Sequence, residues 1–163
     1  MDVESFEALY RQHHQDVYRF ALNLSGDAAL AEDIAADTFV RAWTAPGQIR
    51  AATVKSYLIT TARHLYVDEI RRTRRLVNIA PDTAQASEQS SEKRAELNDQ
   101  LQRTLTSLQK LAESDRAALI MRVFDDLPYE DIAVALGTSV TAAKVRVHRA
   151  RLRLAELCQE KGD

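Results

Sequence analysis

Apolar residues return every three to four positions through most of this chain, the period of an α-helix with one buried face. From Phe6 to about Leu24 the repeat is carried by Phe6, Leu9, Val17, Phe20 and Leu24. It stops at Ser25-Gly26-Asp27, where glycine suits a helix C-terminus and aspartate caps the next helix. A second helix is expected from Ala28 to Trp43, with Leu30, Ile34, Thr38, Phe39, Ala42 and Trp43 on one broad face, ending before Pro46-Gly47. A loop from Thr44 to about Thr53 leads to a third helix, Val54 to about Arg75, with Tyr57, Leu58, Thr61, Leu65 and Ile70 turned inward. Three such helices can close one small core.

Between Leu76 and about Ser91 the period disappears into Asn, Asp, Thr, Gln, Ser and Glu around Pro81, which reads as a flexible linker. The chain is therefore expected to divide into a domain over 1–76, a linker over 77–95 and a second domain over 96–163. The helical spacing resumes with Leu97, Leu101, Leu105, Leu108 and Leu111. Ser114 or Asp115 is placed to cap the next helix, in which Ala118, Leu119, Met121, Val123 and Phe124 are apolar. Tyr129 to Leu136 predicts a short helix, Gly137 a turn, Ser139 an N-cap and Val140 to about Leu157 a longer helix, together a helix-turn-helix.

Composition agrees with an all-α fold of two small helical domains. The 163 residues include only four glycines and three prolines, and 45% are hydrophobic, enough to build either one ordinary core or two small ones. The single cysteine, Cys158, excludes an intrachain disulfide framework and a cysteine-based zinc cluster, and reads as a small semi-buried side chain. Glycine-rich phosphate loops, metal-ligand spacings and nucleophile sets are all missing from the pattern. No catalytic residue, metal or cofactor is therefore expected. The acidic N-terminus is unlike a signal peptide, and no apolar stretch approaches the roughly 18 residues that span a bilayer, so a cytoplasmic protein without membrane insertion is expected.

Net charge is −2, yet basic residues gather in two places: Arg71, Arg72, Arg74 and Arg75, and the acid-free run holding Lys144, Arg146, Arg149, Arg151 and Arg153. Placing residues about 100° apart on the last helix puts Val140, Ala143, Val147, Ala150, Leu154 and Leu157 in one narrow sector. Thr141, Val145, His148 and Arg149 lie opposite, flanked by Lys144 and Arg151 on one side and Arg146 and Arg153 on the other. A recognition helix needs this layout, with an apolar stripe for docking, a crest for base edges and flanking cations for phosphates. Lys144, His148 and Arg149 are the candidates for base or near-base contacts. Arg146, Arg151 and Arg153 suit phosphates or structural ion pairs.

These residues carry a resemblance. Leu127-Pro128-Tyr129-Glu130-Asp131-Ile132-Ala133 through Lys144-Val145-Arg146-Val147-His148-Arg149-Ala150-Arg151 resembles the fourth region of the extracytoplasmic-function (ECF) group of bacterial sigma factors, which reads the minus-thirty-five promoter element. Phe6-Glu7-Ala8-Leu9-Tyr10 and Ala31-Glu32-Asp33-Ile34 through Asp37-Thr38-Phe39-Val40-Arg41-Ala42-Trp43 resemble its second region, including the helix that docks on RNA polymerase. Ser56-Tyr57-Leu58 through Ala62-Arg63-His64, followed by Asp68-Glu69-Ile70-Arg71-Arg72, resembles the part that engages and melts the minus-ten element.

The resemblance implies a transcription initiation factor that catalyses nothing itself. Its partners would be core RNA polymerase, promoter DNA and an anti-sigma factor. It assigns polymerase binding to Asp33, Ile34, Asp37, Phe39, Arg41 and Trp43, with Phe39 and Trp43 split between core packing and interface. It assigns the minus-ten element to Arg50, Lys55, Tyr57, Arg63, His64, Arg71, Arg72, Arg74 and Arg75. The minus-thirty-five set is Ser139, Thr141, Lys144, Val145, Arg146, His148, Arg149, Arg151 and Arg153. The chain departs from the usual pattern at Ala36, Tyr57, His64, Pro128 and Val145, so the family's base preference does not carry over. The competing class is an autonomous helix-turn-helix regulator, which explains the C-terminal half but leaves the N-terminal motifs without a role.

Overall fold

The computed structural model describes residues 1–45, 47, 54–79 and 99–162, and the elements it describes are helical. Helices α1 (Val3–Ser25), α2 (Ala28–Thr44) and α3 (Val54–Ile79) form the first part. The second holds α4 (Asp99–Gln109), α5 (Glu113–Leu119), a π-helical turn (Ile120–Phe124), α6 (Tyr129–Leu136) and α7 (Val140–Gly162). The expected all-α fold in two helical parts is borne out. Residues 77–79 prolong α3 past the expected end near Arg75, and 80–95 of the expected linker lie outside the described residues, as do Arg50 and Leu97.

Local chemistry sets the helix ends. Asp2 caps α1, its Oδ1 accepting from Ser5 N at 2.7 Å, and Asp27 caps α2, accepting from Ala29 N and Leu30 N. Gly26 ends α1 in the left-handed region (φ 70°), its N–H donating to Leu22 O. A side chain at Gly26 would also strike Gln109, whose Nε2 donates to the carbonyls of Asn23 and Leu24 at 3.2 Å each. One glycine thus ends α1 and makes room for the end of α4.

Val17, Phe20, Leu24, Ile34, Phe39 and Leu58 fill the interior of α1–α3 as their spacing predicts. α3 carries a second buried stripe, Ile59, Ala62 and Tyr66, which the expected inward face did not include. Its cause is the second part of the molecule. α6 packs on α3, while α4, α5 and the π-turn pack on α1. Ile120, Met121, Leu127, Ile132 and Val147 consequently join the core residues of α1–α3 in one continuous cluster.

Two expectations in the second part, a cap and a cysteine, are corrected, and two apolar residues lie outside the core. Neither Ser114 nor Asp115 caps α5: the N-cap is Ala112, without a side-chain bond, and Asp115 lies inside the first turn, buried. Val123 and Phe124 do not join the core, being 50% and 51% exposed. The π-turn closes through Asp125 N to Ile120 O, and the extra residue in that turn rotates its last positions off the buried face. Cys158 is exposed rather than semi-buried, one position beyond the buried Leu157.

Candidate nucleic-acid interface

The helix-turn-helix forms as its residues dictate. Gly137 adopts φ 65° and ends α6, its N–H returning to the last turn, and Ser139 Oγ accepts from Ala142 N at 3.1 Å to start α7. Ser139→Ala should therefore lower stability by ~1 kcal/mol, read as a shifted urea midpoint with an unchanged slope. On α7, Ala143, Val147, Ala150 and Leu157 are buried and Val140 and Leu154 partly so, which seats the helix on α5 and α6. Thr141, Lys144, Val145, His148, Arg149, Arg151 and Arg153 are exposed and Arg146 is half-buried.

The cations of α7 fall into two kinds. Arg149 is held by Asp115, which accepts from Nε at 2.7 Å and Nη2 at 2.8 Å, and this bond raises the Arg149 pKa further above its ordinary value. Arg146 stands 3.9 Å from the same carboxylate, and Arg153 pairs with Glu156 at 3.2 Å. Among the described residues no acid pairs with Lys144 or Arg151; Lys144 Nζ instead sits 5.6 Å from the Tyr129 ring centroid. By local spacing alone Asp115 reads as a helix cap. Its partner is 34 positions away, and no local signal connects them.

The polymerase set splits by burial. Asp33, Asp37, Arg41 and Trp43 are exposed, whereas Ile34 and Phe39 are each 3% exposed and serve the core. Trp43 does both: 42% exposed, its ring meets Phe6 edge to face at 5.0 Å. Phe6, Tyr10, Phe39, Val40 and Trp43 line an open apolar groove along α1 and α2.

Of the minus-ten set, His64, Arg71, Arg72, Arg74 and Arg75 are exposed, and Arg72 pairs with Glu69 at 2.8 Å. Tyr57 is partly buried and lines a cavity with Arg41, Thr60 and His64. Lys55 lies 3.9 Å from Asp16. Arg63 is engaged elsewhere: 14% exposed, it grips Glu113 through Nη2 at 2.5 Å and Nε at 3.2 Å.

That pair is one of several bonds joining the two parts. Ser56 Oγ donates to Asp131 at 2.5 Å, and the buried Arg116 donates through Nη2 to the Tyr66 hydroxyl at 3.1 Å, while its Nη1 donates to Leu111 O at 3.0 Å within the second part. Burial raises the Tyr66 pKa. Among the described residues no group of three or more His, Cys, Asp or Glu could hold a metal ion, and no helix is long and apolar enough to cross a membrane.

Comparison with known proteins matches residues 9–76 to Sigma-70 region 2 and residues 101–154 to Sigma-70, region 4. The chain is 35% identical over 158 residues to the ECF RNA polymerase sigma factor SigL of Mycobacterium tuberculosis, covering 92% of this chain and 89% of that one. It is 28% identical to the ECF RNA polymerase sigma factor SigM of Bacillus subtilis, covering 94% of each. Among solved structures it resembles the sigma factor RpoE in complex with the anti-sigma factor NepR from Bartonella quintana. That match has a TM-score of 0.82 and 26% identity, and covers 96% of this chain and 98% of that one.

Proposed function

The chain belongs to the ECF sigma factors of the sigma-70 family and directs promoter-specific initiation of transcription, and on that footing we propose how its two parts divide the work. The exposed face of α2, with Asp33, Asp37, Arg41 and Trp43 beside the apolar groove, binds core RNA polymerase. The α2–α3 junction and α3, with Lys55, Tyr57, His64 and the arginines from Arg63 to Arg75, take the minus-ten element. There an unstacked base is read by its edge and by stacking on a side-chain plane, while the arginines follow the backbone. α7 reads the minus-thirty-five element in the major groove. The protein acts in the cytoplasm, where polymerase and promoters are.

The observation that carries this reading is α7 itself, an apolar stripe seated on the domain with its cations on the exposed side, in one chain with an α2 that leaves Asp33, Asp37, Arg41 and Trp43 exposed. Each part alone makes few contacts. Tethering both to one enzyme raises their effective concentration at the promoter. The packing of the two parts against each other, a closed arrangement, adds a condition, since a role for Arg63 on DNA requires that it release Glu113. An anti-sigma partner that favours the closed arrangement fits the likeness to a sigma factor solved with its anti-sigma factor.

Run-off transcription with purified core polymerase on a library of promoter fragments tests the assignment. Initiation dependent on the chain, from fragments sharing two spaced elements, is expected, with weak binding of duplex DNA by the chain alone. Tight, salt-sensitive duplex binding without stimulation of polymerase would point instead to a regulator acting by itself.

A further inference from the structure

We propose that Asp115 is the positioning residue that makes Arg149 a reader of guanine in the upstream promoter element, an inference that rests on the assignment of α7 to that element. Arg149 stands on the crest of α7 with 59% of its side chain exposed, while the Asp115 side chain beneath it is 10% exposed. Such a pairing of a fixed anion with a surface cation does more than neutralise charge, because of which donors it uses.

A guanidinium carries five N–H donors in one plane. Asp115 takes the Nε proton and one Nη2 proton along one edge, through its Oδ2 and Oδ1. The second Nη2 proton and the two on Nη1 remain. One from each nitrogen lie side by side on the far edge, the fork that matches O6 and N7 of guanine in the major groove. Adenine presents an amino donor where guanine has O6, and the fork would meet it donor to donor. With the carboxylate gone, Arg149 is a mobile cation suited to any phosphate. With it in place, the plane of the fork is set by α5, which packs directly on α7. Lys144 and Arg151 have no acid partner among the described residues, and they remain free to follow the backbone.

The alternative role for Asp115 is that of a strut, an ion pair that merely ties α7 to α5. The two roles differ in what they move, since a strut changes activity on every promoter alike, whereas a positioning residue changes the preference at one base pair. The test is run-off transcription by core polymerase with the full-length chain, on promoters varied at every position of the upstream element, alongside thermal unfolding of each variant. D115N and R149A are each expected to reduce the preference for guanine at one and the same position by about tenfold or more, leaving other positions unchanged. The double variant should be no worse than R149A.

R149K keeps the charge and a bond to Asp115 but lacks the planar fork, and should lose the same preference while unfolding near the parent temperature. That variant keeps the test decisive even where D115N folds poorly. A uniform loss on all promoters with an unaltered profile in D115N or R149K would establish the strut and overturn the proposal, as would an unaltered profile in R149A. Failure of the parent chain to initiate from any library member would overturn the assignment of α7, and the proposal with it.

Discussion

Phe20→Ala is expected to destabilise the whole molecule by ~3–5 kcal/mol, the usual range for emptying a fully buried aromatic site. Phe20 is 1% exposed on α1, and α1 packs against both α2–α3 and the α4–π-turn side. Its cluster runs without interruption from Val17 and Leu58 to Ile132 and Val147, so the cavity weakens a core common to both parts. Urea unfolding followed by Trp43 fluorescence, which reports on α2, and by far-ultraviolet circular dichroism, which reports on every helix, should show one coincident transition moved to lower denaturant. Two separated transitions, with only the Trp43 signal displaced, would mean that the parts unfold independently.

The second large effect is expected at Asp125. This carboxyl directly succeeds the π-turn, is 7% exposed, and its Oδ2 has no hydrogen-bond partner among the described residues. Burial is the main cause that pushes its pKa from the ordinary 3.8 up to about 7; Asp16 adds to the rise, while Lys55 and Arg19 oppose it. The folded chain therefore keeps the proton to higher pH than the unfolded chain does. The stability conferred by the neutral carboxyl is complete below about pH 4 and is lost as pH rises to about 7. Asp125→Asn, which cannot ionise, should unfold with ~2–4 kcal/mol more stability than the parent at pH 8, a figure bounded by ~1.4 kcal/mol per pKa unit. The two should converge near pH 4. A constant difference between them across that range would rule out a buried neutral carboxyl.

Much of the candidate site is legible in the sequence because it lies on single helices. The α7 stripe of Ala143, Val147, Ala150 and Leu157 obeys one period, and knowing the buried face fixes the exposed one. Ser139 and Gly137 are legible for a similar reason, since caps are decided by two or three neighbouring residues. What escapes is whatever depends on contacts distant in sequence. Ile59, Ala62 and Tyr66 form a second stripe beside Leu58 and Leu65, and one apolar face cannot be told from two adjoining ones until the second partner is known. Arg63 reads as a free cation because Glu113 is 50 positions away. Val123 and Phe124 mislead for a third reason. The π-turn breaks the 3.6-residue period that their apolar character suggests, and a local insertion of this kind leaves no mark in the spacing of apolar residues.

The continuity of that core bears on how tightly the protein can associate with anything that needs it opened. A binding-competent form present as a fraction of the molecules weakens the apparent affinity by that same fraction, so that 1% occupancy raises the apparent Kd ~100-fold. The bond from Arg63 to Glu113 and the seat of Gln109 against the end of α1 both join the first part to the second. Substitutions of Glu113 or Gln109 should tune how readily the chain responds, its threshold, while leaving the choice of promoter to residues elsewhere.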